Sequence, residues 1–237
     1  MTADAQPHGD RPGGARPDDP EARGLRLVVV LLGLTVVSGM IDAVGYLGLG
    51  HVFTANMTGN VVVLGFAAVG APGFSIPHTA TSLVCFLVGA LAGGRVAARY
   101  GGVSRRIWAR VTLAAEAVLV GASAAVAFAA PGAAATAYAL IALTAFAMGL
   151  RNATVRKLGV ADLTTTVLTM TLTGLASDSR AAGGTGHRSP RRTAAVLAML
   201  AGAALGAWLV LHRDLGTPLL VSALAAGVLA VATSGRE

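Results

Sequence analysis

Asp42 is the only charged residue between Leu27 and Gly94. A carboxylate in so apolar a stretch costs about 2.5–3.5 kcal/mol on membrane-insertion scales when unpaired, so it must face the protein interior, take up a proton or meet a cation. Further along, Asn56-Met57-Thr58-Gly59-Asn60 sets amides and a hydroxyl directly before the apolar run Val61–Val69. That order predicts a polar helix start, with Asn56 or Thr58 as the N-cap and Gly59 allowing close approach of the backbone. A helix that begins inside a membrane presents partial positive charge to an anion or polar solute. A third polar run, Thr164, Thr165, Thr166, Thr169, Thr171 and Thr173, offers hydroxyls that can satisfy freed backbone groups or line a polar path. Arg151-Asn152 supplies a guanidinium and an amide between these runs, and an Asp42–Arg151 pair is expected. The candidate solute-binding residues are therefore Asp42, Asn56, Thr58, Asn60, Arg151, Asn152, Thr165 and Thr169.

Other residue types point to architecture. Glu116 is expected to bond a neighbouring helix or reach the cytoplasmic interface. His51 and His78 fall in charge-free loops and form no metal-ligand spacing. Cys85 lies alone in an apolar run and reads as a packing residue. Gly183-Gly184-Thr185-Gly186 has no preceding strand and reads as a flexible linker. No nucleophile has a plausible base and no phosphate loop is present, so neither an enzyme nor a bound cofactor or metal is expected.

The elements that position these residues follow from composition. Of 237 residues, 54% are hydrophobic and 12% charged, against about 25% charged in a soluble domain. The net charge of +7 comes from 18 basic residues, of which Lys157 is the one lysine. They sit between long apolar runs rather than on one polar face, which excludes nucleic acid as a partner. The fold class is an all-α, polytopic membrane helical bundle, with the lipid bilayer and an unidentified small solute or ion as partners and a homo-oligomer allowed. Spanning helices need about 20 mainly apolar residues, and segments 27–47, 79–98, 108–129, 135–154, 192–211 and 215–233 meet that length. Segments 53–71 and 163–177 are shorter or more polar. The runs lack period-two alternation, which argues against strands. Residues 1–23, rich in proline, glycine and mixed charge, read as a disordered tail. No short basic region leads directly into an apolar stretch, so no signal peptide is expected.

Charge then orients the segments. The loops Arg95–Arg110, Arg151–Lys157 and Arg180–Arg192 are basic, whereas 48–52, 70–78 and 130–134 have no Lys or Arg. If all eight segments crossed from a cytoplasmic N-terminus, Arg95–Arg110 would lie outside. If 53–71 and 163–177 instead enter and leave by one face, every strongly basic loop is cytoplasmic, with Arg213 as the exception. The expectation is six spanning helices plus two short or re-entrant helical segments, with both termini inside.

The chain also repeats at an offset of about 110 residues. Gly39-Met40-Ile41-Asp42-Ala43 aligns with Gly149-Leu150-Arg151-Asn152-Ala153, Thr58 with Thr169, Asn60 with Thr171, and Gly89–Gly93 with Gly202–Gly206. Each unit crosses three times, so the second is upside down: an inverted internal repeat with residues 24–130 and 131–237 as its halves. Glycines at helical spacing should let helices pack closely, and Trp108 and Trp208 read as interface anchors.

Gly39-Met-Ile-Asp-Ala-Val with Phe53-Thr-Ala-Asn-Met-Thr-Gly-Asn60, and Gly149-Leu-Arg-Asn-Ala-Thr-Val-Arg-Lys-Leu-Gly159 with Asp162–Thr169, resemble the YoaK-type family of small bacterial membrane proteins. The resemblance covers about residues 25–233 and implies a bacterial inner-membrane protein of about six spans. It implies no substrate and no catalytic residues. The functional expectation is a small-solute or ion transporter or channel with a midplane polar site between inverted repeats. The alternative is a non-transporting scaffold or regulator acting through its basic cytoplasmic loops.

Overall fold

The computed structural model describes residues 20–100, 105–158, 168–187 and 189–232. The described elements are helices: α1 (Pro20–Gly48), α2 (Met57–Ala68), α3 (Ile76–Tyr100), α4 (Arg105–Ala129), α5 (Ala134–Leu158), α6 (Leu168–Ser177), α7 (Ser189–His212) and α8 (Gly216–Ala232), with one 3-10 turn at Arg180–Ala182. The all-helical bundle expected from the long apolar runs is what forms.

Residues 1–19 of the expected tail lie outside the described residues, but α1 already begins at Pro20. Proline is tolerated at the first helical position because its missing N–H would have no intrahelical partner there. Among the described residues, five stretches are long and apolar enough to cross a membrane: Val28–Gly48, Ile76–Tyr100, Trp108–Ala129, Ala134–Lys157 and Ser189–His212. α8 stands where the sixth span was expected but has 17 residues, fewer than the roughly 20 of a full crossing. Its start is fixed by Asp214, which accepts from the Thr217 N–H at 2.7 Å and from the Thr217 hydroxyl at 3.0 Å. α2 and α6 are shorter still.

Glycine decides how the helices lie together. At Gly89 and Gly93, α3 rests against the carbonyls of Phe146 and Leu150, the latter 2.9 Å from where a Cβ would stand. At Gly202 and Gly206, α7 rests likewise against the carbonyls of Val36 and Met40. In each pair the contacts advance in the same direction along both helices, so α3 runs parallel to α5, and α7 parallel to α1. Gly149 and Gly39 return the approach, against the carbonyls of Phe86 and Met199. Further packings are α4 on α8, α4 on α5 and α1 on α8, α2 on α3 and α6 on α7, with lighter contacts of α3 with α4, α7 with α8 and α1 with α5. Each has a counterpart when α1–α4 are exchanged for α5–α8.

α1 and α5 form the inner pair, with 67% and 56% of their apolar stretches buried, against 22% for α3 and for α7. Outward apolar side chains such as Leu87, Leu91, Leu197 and Leu200 stay exposed, as suits a surface solvated by lipid rather than water. The helix directions sort the charges. Arg95 and Arg99 close α3, Arg110 stands near the start of α4, Arg156 and Lys157 close α5, and Arg191 and Arg192 open α7. All lie at one end of the bundle. The other end carries linked rings: Tyr46 with His51 and Phe53, His51 and Phe66 with Phe74, and His78 with Tyr138.

Two side chains depart from expectation. Trp108 is no interface anchor: it is 2% exposed and packs with Ala97 and Ala109. The small side chains of Ala97 and Ala109 stand against the indole on that inward face. Trp208 does face outward, stacked on His212. His78 lies in the first turn of α3 rather than in a loop.

Candidate functional site

The site begins where α1 ends. Gly50 and His51 take left-handed backbone conformations, with φ of 83° and 60°, and the chain reverses. Val52 donates its N–H back to the Gly45 carbonyl at 3.3 Å, and its own carbonyl lies where a Gly45 side chain would stand. The strip Val52–Ala55 therefore runs back along α1 without forming helix. Val52, Thr54 and Ala55 are all buried.

A non-helical strip has N–H groups that no helix satisfies, and buried amides must find partners. Asp42 provides them. Its Oδ1 accepts from the N–H of Thr54 at 2.9 Å and of Ala55 at 2.8 Å. Asn60, fully buried one turn into α2, holds the residue before. Its Oδ1 accepts from the Phe53 N–H at 2.9 Å, and its Nδ2 donates to the Phe53 carbonyl at 2.5 Å and to Ser82 Oγ at 3.0 Å. Ser82, on α3, donates in turn to the Phe53 carbonyl at 2.7 Å. Asn56 is the N-cap of α2, accepting from the Gly59 N–H at 3.3 Å. Gly59 leaves room for the Phe53 ring, whose Cδ2 lies 2.7 Å from where a Cβ would be.

α2 then returns to the end where the strip entered. His51 Nδ1 lies 2.9 Å from the carbonyl of Gly73, just beyond α2, and Phe66 meets Phe74. The two ends of segment 53–71 thus share one end of the bundle, and α2 starts at depth beside Asp42.

The second cluster lies deeper along α1. The guanidinium of Arg151 on α5 pairs with the carboxylate of Glu116 on α4: Nε donates to Oε2 at 2.7 Å and Nη2 to Oε1. Its Nη1 donates to the Leu34 carbonyl at 2.8 Å and to Ser38 Oγ at 2.6 Å on α1. Neither Glu116 nor Arg151 is exposed. The pair is bidentate and anchored on a third helix, the geometry a buried ion pair needs to withstand desolvation.

The expected Asp42–Arg151 pair is therefore not formed. Arg151 lies level with Leu34 and Ser38, one turn short of Asp42, and its donors go to Glu116 and α1. Of the other candidates, Asn152 is half-buried and donates to the Met148 carbonyl of its own helix at 2.8 Å. Thr58 and Thr169 both face outward, away from the polar strip, while Thr171 is buried. Thr165 lies outside the described residues. The structure thus gathers Asp42, Asn56 and Asn60 around one strip, with Arg151 in a neighbouring cluster, and leaves Thr58 and Thr169 apart. Reading from sequence overlooked Ser38 and Ser82. Ser38 stands one helical turn before Asp42, a spacing that puts both on one face. Ser82 had no such signal.

Among the described residues no group of three His, Cys, Asp or Glu could hold a metal ion. The arrangement can bind and orient, through a buried carboxylate, an amide and a strip of backbone groups.

Residues 30–232 match the family model described as protein of unknown function DUF1275. The chain is also 36% identical over 148 residues to the UPF0700 transmembrane protein YoaK of Bacillus subtilis (strain 168), covering 61% of this chain and 64% of that one. The match thus spans less than two thirds of the relative. No solved structure matches the chain.

Proposed function

The chain belongs to the DUF1275 family and is an integral membrane protein, and we propose that it is a transporter for a small solute or ion. The observation that carries this reading is the buried non-helical strip Val52–Ala55, held by Asp42 and Asn60. Non-helical backbone at membrane depth is tolerated where it is enclosed by protein or lines a cavity, and interrupted helices of this kind form the sites of many transporters.

The matched contacts of the two halves support an inverted repeat. Gly39 with Met199 corresponds to Gly149 with Phe86, and Gly202 with Val36 to Gly89 with Phe146. In this reading α1, α3, α4, α5, α7 and α8 cross the membrane, and α2 and α6 enter partway. The basic end faces the cytoplasm of a bacterial cell, by the rule that arginines stay inside, and both termini lie with it. Asp42, Asn56 and Asn60 form the site. Arg151, Glu116 and Ser38 tie α4 and α5 to α1 beneath it.

The test is transient current on a solid-supported membrane carrying vesicles of the full chain. Inorganic ions, amino acids and sugars are applied in turn. The reading expects a current with at least one of these and its loss in Asn60→Leu, with both proteins eluting as single species in detergent. Absence of current for the whole panel, or equal currents in both proteins, contradicts it.

A further inference from the structure

Two buried carboxylates and two buried guanidinium groups stand among the described residues, and three of the four have side-chain partners. Glu116 and Arg151 satisfy each other, Arg192 meets Asp178 at the basic end, and the fourth is Asp42, 6% exposed. Its Oδ1 accepts two backbone N–H groups. No side chain bonds it among the described residues. Dipoles of N–H groups ease the burial of a carboxylate but do not cancel its charge, and in a membrane interior an unpaired charge is neutralised by a small cation or by a proton. A metal ion needs several oxygens around it, whereas a proton needs one.

Beside Asp42 there is also a hydroxyl with nothing to bond. Thr54 Oγ1 is buried and without a partner, on a residue whose N–H already bonds Asp42. Buried hydroxyls without partners are rare and call for an explanation. Thr54 Oγ1 lies beyond bonding distance of the Asp42 carboxyl in this arrangement, so only a shift of the strip would let it accept the O–H that a protonated carboxyl gains.

The geometry points to Asp42 as a reversible proton-binding site that couples proton movement to the position of the strip Val52–Ala55. This rests on the transport reading of the same site and names its coupling ion. The step is a simple association: a carboxylate oxygen takes a proton from water at the aromatic end and later returns it to water, and no other bond is made or broken. As a carboxylate, Asp42 holds the N–H groups of Thr54 and Ala55 with a charge-assisted bond. As a neutral acid it holds them less strongly, so the strip and the start of α2 are freer to move.

The other charged and titratable groups around it are occupied or distant. On its own helix Tyr46 stands one turn onward, stacked on Phe53. His51 of the strip's turn bonds the Gly73 carbonyl, and α2 has none. His78 on α3 and Tyr138 on α5 pack on each other at the aromatic end. Glu116 on α4 and Arg151 on α5 form the ion pair. On α7, Arg192 lies at the basic end with Asp178, and His212 bonds the Trp208 carbonyl. α8 carries none.

The test is infrared difference spectroscopy of the full chain in vesicles, comparing low with high pH. A carboxylic C=O band that appears at low pH should vanish in Asp42→Asn, persist in Glu116→Gln and move in frequency in Asp42→Glu. The last variant guards against misfolding, because it keeps a carboxyl group. A band unchanged in Asp42→Asn, or no titrating band that either Asp42 variant alters, overturns the proposal. Vesicles loaded with the pH dye pyranine provide the separate transport readout. Loss of the band in Asp42→Asn supports the proton site even if no dye response to any solute is seen, an outcome that would count against transport alone.

Discussion

Glu116 and Arg151 meet inside the bundle with neither side chain reaching its surface, the guanidinium fork closed on the carboxylate and braced by Ser38. Three helices are joined at this point, α4 and α5 by the pair and α1 through Ser38 and the Leu34 carbonyl. Removing one partner leaves the other charge buried alone, a loss of about 3–5 kcal/mol, whereas removing both can be nearly neutral. Glu116→Leu should therefore lower the thermal midpoint in detergent sharply, and Glu116→Leu combined with Arg151→Met should restore most of it. Additive losses in the double variant would show that the two residues do not act as a pair.

The strip has its own signature. Asn60→Leu leaves the N–H of Phe53 without its partner and removes one of two donors to its carbonyl, at a cost of about 1–3 kcal/mol for each buried group left unsatisfied. Hydrogen exchange should accelerate at Phe53, Thr54 and Ala55 while the middle of α5 stays protected. Ser82→Ala should give the same pattern more weakly, since Asn60 still reaches the carbonyl.

The cap of α2 offers a milder perturbation. Asn56→Ala removes the acceptor for the Gly59 N–H, and loss of such a cap typically costs about 1 kcal/mol. Asn56→Asp keeps an acceptor and should retain more of the stability. Thermal midpoints of the two variants, measured side by side, give the order.

Glycine substitutions should divide by contact rather than by position in a motif. Gly89→Leu and Gly202→Leu push a side chain into the Phe146 and Val36 carbonyls, while a Cβ at Gly94 meets nothing within 4 Å. The first two should reduce the yield of monodisperse protein several-fold, and Gly94→Leu should leave it near the parent level. Equal losses in all three would contradict the packing described.

Much of the helical plan was legible because the signals are local. Long apolar runs set the helices, Asn56 ahead of an apolar stretch marked the start of α2, and the small residues Gly89–Gly93 and Gly202–Gly206 marked the close packings. The partners of buried charges were not legible. Arg151 stands beside Asn152, the counterpart of Asp42, which suggested a pair across the repeat. Its actual acceptor, Glu116, is on α4, and what brings them together is the packing of α4 on α5, which no local pattern encodes. The outward turn of Thr58 and Thr169 was hidden for a related reason. Threonine can bond within its own helix, so polarity alone does not say which face it takes.

The central structural claim is that segment 53–71 turns back inside the membrane, so that α2 begins beside Asp42 and ends where it entered. Single cysteines at Ala71 and Ala98, in a Cys85→Ser background, test it in intact cells with a membrane-impermeant thiol reagent. The account predicts labelling at Ala71 from outside and at Ala98 only after the membrane is opened. Labelling of Ala98 but not Ala71 in intact cells would mean that the segment crosses completely, and would contradict it.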